Sequence, residues 1–325
     1  MKTISIKKIQ KIQKIQKIQK IQKIQKQSKN TKKLHYKLLG GNQLKEDNHC
    51  SPNNINNSGS CLSYHSLQKI AHSINKTKPS IRIKTNSKKK IMWNSIKNHF
   101  QDKCKNEWCW IQQETVKKLN DSSIINSFRP EMPSSWLTNS REWLSTLDIE
   151  NVMEQYQERY NNFLFIGPVP IDFDSKHQIG GCIVDELCNL NVVQLYKKNI
   201  TKLGIVFNLD KHNEPGSHWV ALFSNFKDKS IYYYDSYATA PNKEIKILMD
   251  RIERQLTKIH PKKKSSIDYN HIRHQYKNSE CGVYSMMFII NMLENNNFTK
   301  NTSNIVLDDE MNQNRNKLYS PSNSL

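Results

Sequence analysis

Apolar residues recur with two different periods along the C-terminal two thirds of this 325-residue chain. Residues 203–209, 218–226 and 230–237 are short runs rich in β-branched and aromatic residues, which predict three strands in close succession. A tight Lys-Asp-Lys turn joins the last two runs. The period then changes, because aliphatic residues three or four positions apart predict an amphipathic helix with these residues on or near one face: Ile245, Leu248, Ile252, Leu256 and Ile259.

Further elements flank this central part. Residues 142–160 predict a helix in which Asp148 acts as a capping residue, and residues 163–173 predict a short buried strand interrupted by glycine and proline. Residues 271–276 predict another short strand, and the apolar run at 281–293 predicts a buried helix. The order of helix, strands, helix, strand and helix indicates an α+β domain with a central sheet.

The N-terminal third shows no such burial pattern. The triplet KIQ occurs six times in tandem from Lys8 to Gln25, and a period of three distributes isoleucine around a helix and over both faces of a strand. Asparagine, serine and lysine then dominate up to about residue 75, a composition typical of disorder. We therefore expect a largely disordered basic arm at 1–90, a folded domain at 91–294 and a polar, disordered tail at 295–325.

The net charge of +21 lies entirely in the first third of the chain. Residues 1–100 carry 23 Lys and Arg against 2 Asp and Glu, whereas the remaining residues carry 27 of each sign. Lysines at this density can bind nucleic acid or an acidic surface. A basic arm that only keeps the chain solvated is the simpler interpretation.

Cysteine usage and hydropathy suggest a soluble, intracellular and not secreted protein. The seven cysteines form an odd set without a compact disulfide framework, so we expect reduced thiols. The spacings within Cys104/Cys109 and Cys182/Cys188 are wider than in zinc knuckles, and no close histidine pair completes either set, so we expect no metal site. No segment resembles a secretory signal or is apolar over the length that a membrane span needs.

Polar residues at the ends of the predicted elements suggest nucleophilic chemistry. His218 opens one strand and Asp235 closes the next, so a hairpin can bring a base close to its orienting carboxylate. Cys281 begins an apolar helix, whose N-terminal N–H groups and dipole favour a thiolate. Gln275, together with the Cys281 N–H, can stabilise an oxyanion, and Gly282 allows close approach of a substrate backbone.

Each of these residues alone has a simpler explanation. A cysteine at a helix start is more often structural than catalytic, and a lone histidine or aspartate on a strand is usually a surface or capping residue. The combination of all four chemical groups in one domain is much harder to explain by chance. It favours cysteine acyl transfer.

Three sequence blocks resemble a known family. HWVALF at 218–223, YYYDSY at 232–237 and QYKNSECGVY at 275–284 resemble the motifs of the ubiquitin-like-protein protease clan, which includes SUMO proteases and the adenovirus protease. The block at 143–173 further resembles polyprotein-processing proteases of large cytoplasmic DNA viruses, such as African swine fever virus and, more distantly, poxviruses. The resemblance covers roughly residues 100–293 and does not extend to the KIQ repeat.

The resemblance implies a SUMO-protease/adenain-like fold, with a central, mostly antiparallel sheet flanked by helices. It implies that Cys281 is the nucleophile, that His218 is the general base and acid, and that Asp235 orients the imidazolium. Gln275 would contribute to the oxyanion hole, and Trp219 would pack beside the catalytic cleft. It also implies cleavage after Gly-Gly-type sequences, without a metal or organic cofactor.

Three functions remain open from the sequence. A maturation protease would cut Gly-Gly-X sites in viral structural or core polyproteins, in the virion and in the viral factory of the host cytoplasm. A deconjugating protease would instead remove SUMO or another ubiquitin-like modifier from its targets. A catalytically inactive protease-fold module would bind nucleic acid through its basic arm. The block at 143–173 favours the first function, and the complete set of four polar residues argues against the third.

Overall fold

The computed structural model describes residues 49–54, 59–176 and 180–322. The KIQ repeat and the rest of the arm up to residue 48 lie outside these ranges, so the expectations for that segment remain predictions. Within the described ranges, none of the helices combines the length and hydropathy that crossing a bilayer requires.

Helices surround a central sheet. In chain order they are α1 (Tyr64–Thr77), α2 (Lys89–Phe100), α3 (Glu107–Gln112), α4 (Glu114–Lys117), α5 (Ser122–Ile125), α6 (Thr146–Arg159), α7 (Asp185–Cys188), α8 (Val192–Lys197), α9 (Lys243–Ile259), α10 (Cys281–Asn295), α11 (Phe298–Ser303), α12 (Asp308–Gln313) and α13 (Arg315–Leu318). Short 3-10 turns lie at Pro52–Asn54 and Ser134–Leu137.

The sheet has five strands in chain order, which are β1 (Phe163–Pro170), β2 (Lys202–Asn208), β3 (Trp219–Asn225), β4 (Ser230–Tyr234) and β5 (Ser266–Tyr269). The inner pairs β2–β3 and β3–β4 are antiparallel. The outer pairs β1–β2 and β4–β5 are parallel, because helices cross over between their strands. The predicted α+β class is confirmed, while the sheet is mixed rather than mostly antiparallel.

Alternation along the inner strands explains why both faces of the sheet are covered. Leu203, Ile205 and Phe207 of β2 pack in one apolar cluster with the buried side of α9. Val206 of β2 belongs to a second cluster on the opposite face, together with the apolar body of α10. Successive residues of a strand point to opposite faces of the sheet. The continuous apolar run of β2 therefore contributes side chains to both clusters.

The caps of two helices follow from short polar signals. At the start of α6, Ser145 is the N-cap, and its hydroxyl accepts a bond from the Asp148 N–H while the Asp148 carboxylate accepts one from the Ser145 N–H. Asp148 therefore takes part in a capping box rather than being the N-cap itself. Asn242 caps α9 by accepting a bond from the Ile245 N–H.

The folded part begins well before residue 91. Helix α1 buries Leu67, Ile70 and Ile74, which pack in one cluster with Met92 and Ile96 of α2. The expected boundary was wrong here because an apolar stripe at helical spacing is diluted by polar residues and does not change the average composition.

The C-terminal segment is also folded, in contrast to the disordered tail expected at 295–325. The Tyr319 side chain is 1% exposed, its ring packs edge-on against Trp136, and its hydroxyl donates to the Asp148 carbonyl oxygen. Arg315 lies over the Trp136 ring and donates to the Glu142 carbonyl oxygen at 2.6 Å. A few large side chains are enough to anchor an otherwise polar segment.

Two smaller predictions were wrong. Residues 271–276 form no strand, because the N–H groups of His274 and Gln275 both donate to the Ser236 carbonyl oxygen instead of to a neighbouring strand. Six cysteines are paired in disulfides rather than reduced: Cys50–Cys61, Cys104–Cys109 and Cys182–Cys188. Across the described ranges, no group of three or more His, Cys, Asp and Glu side chains is placed to hold a metal ion.

Candidate active site

His218 and Asp235 meet at one end of the β3–β4 hairpin. His218 directly precedes β3 and Asp235 directly follows β4, and the antiparallel register pairs Ala221 with Tyr234. The hairpin therefore brings both side chains to the same edge of the sheet. The His218 Nε2–H donates to Asp235 Oδ1 at 2.7 Å, and both residues are buried.

Backbone and amide groups hold the Asp235 carboxylate in place. The Tyr237 N–H donates to Asp235 Oδ1 at 2.9 Å. Asn270 clamps the main chain, since its Oδ1 accepts a bond from the Asp235 N–H at 2.8 Å and its Nδ2 donates to the Asp235 carbonyl oxygen at 2.7 Å. Sequence reasoning missed Asn270, although an asparagine directly after a short strand is a common turn signal.

Cys281 lies on the other side of the imidazole. It is the first residue of α10, it is 2% exposed, and it is the free cysteine among the described residues. Its thiol lies close enough to the His218 ring to raise the pKa of the imidazole. Because Nε2 already bonds Asp235, Nδ1 is the ring nitrogen left for the thiol.

The surroundings of His218 favour its charged form. Burial by itself lowers the pKa of the imidazole, but hydrogen bonds to Asp235 and Cys281 outweigh it and raise the pKa to about 9. The ring of Tyr237 stacks on the imidazole with centroids 4.6 Å apart, which fixes the plane of the ring. The His218 ring is therefore mostly an imidazolium at neutral pH.

Gln275 is fixed close to this site through its neighbours. Its side chain is fully buried, and Oε1 accepts a bond at 2.6 Å from the hydroxyl of Ser236, the residue after Asp235. Its Nε2 donates to the Lys277 carbonyl oxygen at 2.8 Å. A carboxamide nitrogen carries two hydrogens, so one N–H remains for a further acceptor. Gln275 reaches this position from a loop and not from the expected strand.

Trp219 and Gly282 contact the same residue, Leu144. The Trp219 Nε1–H donates to the Leu144 carbonyl oxygen at 3.0 Å. A Cβ at Gly282 would lie 2.9 Å from Leu144 Cδ1, so the missing side chain makes room for Leu144. The sequence predicted that Gly282 would lie against a substrate backbone, whereas in the structure it lies against Leu144. A cavity of about 560 Å³ lies beside them and is lined by residues that include Trp143, Leu144, Gly216 and Trp219.

A carboxylate from the C-terminal segment holds the loop that precedes Cys281. Asp308, the first residue of α12, accepts bonds from the N–H groups of Tyr276 and Lys277 at 3.0 Å and 3.1 Å through Oδ2. Arg141 donates to the buried Glu280 at 2.6 Å and also bonds Asp309. Sequence reasoning missed these residues; the acidic run at 308–310 in a polar segment was the available signal.

Comparisons with known proteins identify similar sequences. A family model described as the Ulp1 protease family, C-terminal catalytic domain, matches residues 198–324. A putative thiol protease of Acanthamoeba polyphaga mimivirus is 34% identical over 242 residues, which cover 73% of this chain and 76% of that protein. A cysteine protease of African swine fever virus is 30% identical over 189 residues, which cover 56% of this chain and 69% of that protein.

A solved structure shares the fold. The crystal structure of an African swine fever virus protease matches with a TM-score of 0.60 and 24% identity, covering 84% of this chain and 96% of that chain. This match covers much more of the chain than the block at 143–173, which resembles such proteases in sequence. It supports the arrangement of helices and sheet described above.

Proposed function

We propose, because this chain belongs to the Ulp1 protease family of cysteine proteases, that Cys281 attacks the scissile carbonyl with His218 and Asp235 as its catalytic partners. The observation that carries the proposal is the position of His218, whose ring bonds Asp235 through Nε2, which leaves Nδ1 for the Cys281 thiol. A buried imidazole between a carboxylate and a thiol is the arrangement that activates a cysteine nucleophile.

The proposed reaction has two stages. The Cys281 thiolate adds to the peptide carbonyl, and the Cys281 N–H and the Gln275 amide stabilise the oxyanion. The His218 imidazolium then gives its proton to the leaving amine as the C–N bond breaks and a thioester remains. In the second stage, neutral His218 removes a proton from water, which attacks the thioester and releases the acid and the thiol. Asp235 keeps the ring in the required tautomer.

The geometry beside Trp219 supports a preference for glycine on the acyl side of the cut. Trp219 is buried and held by the Leu144 carbonyl, and the neighbouring cavity continues past Gly216. The family resemblance implies a narrow tunnel over the nucleophile that admits only glycine near the scissile bond. We therefore propose cleavage after Gly-Gly-type sequences, the specificity that the family resemblance implies.

The viral relatives support a processing role. The mimivirus and African swine fever virus proteins are described as thiol or cysteine proteases, and one African swine fever virus relative is described as a SUMO-1 cysteine protease. We propose that the substrates are viral structural or core precursors with Gly-Gly-X sites, cut during maturation in the virion and the viral factory. Removal of a ubiquitin-like modifier is the second candidate, supported by the family match.

The first prediction concerns the nucleophile and its base. Cys281→Ala and His218→Ala should each abolish turnover of a Gly-Gly-X reporter peptide, because one removes the sulfur and the other its proton acceptor. His271→Ala is the matched control, since His271 forms an exposed pair with Asp268 at 3.1 Å outside the site. Unchanged turnover by Cys281→Ala would overturn the assignment, whereas no turnover by the wild-type protein would favour the inactive module instead.

A parallel assay separates the two protease functions. The wild-type protein is mixed with a viral precursor that contains Gly-Gly-X sites and, separately, with a SUMO conjugate; new N-termini of the precursor are sequenced, and SUMO released from the conjugate is measured on a gel. Faster cleavage of the precursor than of the conjugate supports polyprotein processing. Release from the conjugate alone would replace that proposal with deconjugation.

A further inference from the structure

A strongly basic surface covers α1, α2 and the loop between them. Between residues 69 and 105 the chain has eleven Lys and Arg residues, and Asp102 and no other acid. Lys69 pairs with Asp121, whereas the other ten have no salt bridge to any described residue. These ten residues define the basic face: Lys76, Lys78, Arg82, Lys84, Lys88, Lys89, Lys90, Lys97, Lys103 and Lys105.

The basic face is held by folded structure. The Asn75 side chain makes two bonds with Ile83, donating to its carbonyl oxygen at 2.9 Å and accepting from its N–H at 2.8 Å. Gln68 donates to the Thr85 carbonyl oxygen at 2.9 Å. These bonds fix the loop against α1, so that Arg82 and Lys84 are exposed on either side of the buried Ile83. The positions of these charges are therefore set before any ligand binds.

Charges from separate elements converge on this face. Burial lowers the pKa of His99 on α2, and the nearby charges of Lys78 and Lys103 lower it further. Lys78 follows α1 and Lys103 follows α2, so the two helix ends place like charges close together. Such a concentration of unpaired charge is costly unless an anion binds there.

A surface cavity on this face is lined by side chains that can donate to phosphate. The cavity has a volume of about 550 Å³, and Arg82 and Lys84 line it together with Asn75, Thr85 and Asn86. Arginine, lysine, asparagine and threonine are side chains that donate to phosphate oxygens. The combination of charge and neutral donors is typical of contacts to a nucleic-acid backbone.

The exposed side chains favour nucleic acid over a membrane. The large apolar residues of both helices are buried except for Tyr64, at 39% exposure, Ile91, at 54%, and the partly buried Trp93. A membrane-surface helix needs a continuous apolar face, which these helices direct into the protein core instead. Helix α2 alone is about 18 Å long, a length over which duplex DNA presents about ten phosphate charges.

We propose that the basic face binds the phosphate backbone of duplex DNA without reading its sequence. This function is separate from peptide cleavage and does not depend on Cys281. It would keep the protein on DNA through contacts that weaken as salt rises.

The test compares two variants of the full chain that lose equal charge. One combines Lys76→Gln, Lys78→Gln, Arg82→Gln and Lys84→Gln, and the control combines the exposed changes Lys197→Gln, Lys198→Gln, Lys211→Gln and Lys262→Gln. Binding to a fluorescent DNA duplex is measured by anisotropy at several salt concentrations. Because both variants keep the lysines of the N-terminal arm, their difference isolates the basic face. Equal melting temperatures confirm that both variants are folded.

The expected result is a loss confined to the first variant. If its four residues contact phosphates, the slope of log Kd against log salt falls by about 3.6, whereas the control keeps the wild-type slope. A second quadruple change to Gln at Lys88, Lys90, Lys103 and Lys105 should give a similar loss. Equal slopes for the first variant and the control would overturn the proposal. Binding of the face to phosphatidylserine vesicles but not to the duplex would also overturn it.

Discussion

The imidazole of His218 has a different partner at each nitrogen, and this determines its chemistry. Asp235 bonds Nε2, which leaves Nδ1 for the Cys281 thiol. The sequence was sufficient to predict that strand ends would bring His218 and Asp235 together. It could not predict the Asn270 clamp or the Tyr237 stacking, because both depend on loop conformations that have no periodic pattern.

The raised pKa of His218 predicts the alkaline limit of activity. The ring must carry a proton to protonate the leaving amine, so kcat/KM should fall as the pH rises through about 9. Asp235→Asn removes the hydrogen bond that most favours the charged ring. We expect this variant to lose about 100-fold or more in kcat/KM and its alkaline limb to move to lower pH.

The check is the pH profile of kcat/KM for the wild-type protein and for Asp235→Asn. Asp268→Asn is the control, since Asp268 pairs with His271 on the surface. This control should keep both the rate and the profile. An alkaline limb that stays in place in Asp235→Asn would show that Asp235 does not set the charge of the ring.

Among the elements, regular strands and helices were easier to predict than the loop before α10. Strands β2, β3 and β4 were predicted to within a few residues, because apolar alternation directly records burial. The loop at 270–280 forms no strand and depends on contacts from distant parts of the chain. The Ser236 carbonyl and the Asp308 carboxylate satisfy its N–H groups. Partners 30 or more residues away leave no local signal in the sequence.

Asp308 should act as a positioning residue for this loop. Asp308→Ala removes the acceptor for two N–H groups between Gln275 and Cys281, so we expect kcat to fall by about tenfold to a hundredfold with a smaller change in KM. Asp308→Asn keeps an acceptor oxygen and should recover most of the rate. The measurement is kcat and KM on the Gly-Gly-X reporter.

Asp309→Ala is the control for this prediction. Asp309 is the neighbouring, exposed carboxylate, and its side chain pairs with the surface residues Arg141 and, at 2.7 Å, Lys277. Exposed ion pairs contribute little, so this variant should stay close to the wild-type rate. If Asp308→Ala matched Asp309→Ala, the positioning role of Asp308 would be wrong.

In the whole molecule, the folded part is longer at both ends than composition suggested. The α1–α2 region adds its own apolar cluster, which begins before residue 91, and residues 298–322 return to the site through Asp308 and to α6 through Tyr319. Average composition missed both because their few apolar residues are dispersed among polar ones. The excess of Lys and Arg in the first third of the chain was visible from the sequence. Only the fold shows that some of these residues form the basic face.

The most direct test of the central claim is to map where an electrophilic substrate analogue reacts. The full chain is incubated with a peptide that ends in Gly-Gly and carries a vinyl sulfone, and the adduct is located by mass spectrometry of peptides. We predict a single adduct on Cys281, formed at an undiminished rate in His271→Ala and about 100-fold more slowly in His218→Ala. An adduct on another residue, or equal rates in the two variants, would contradict the claim that His218 activates Cys281.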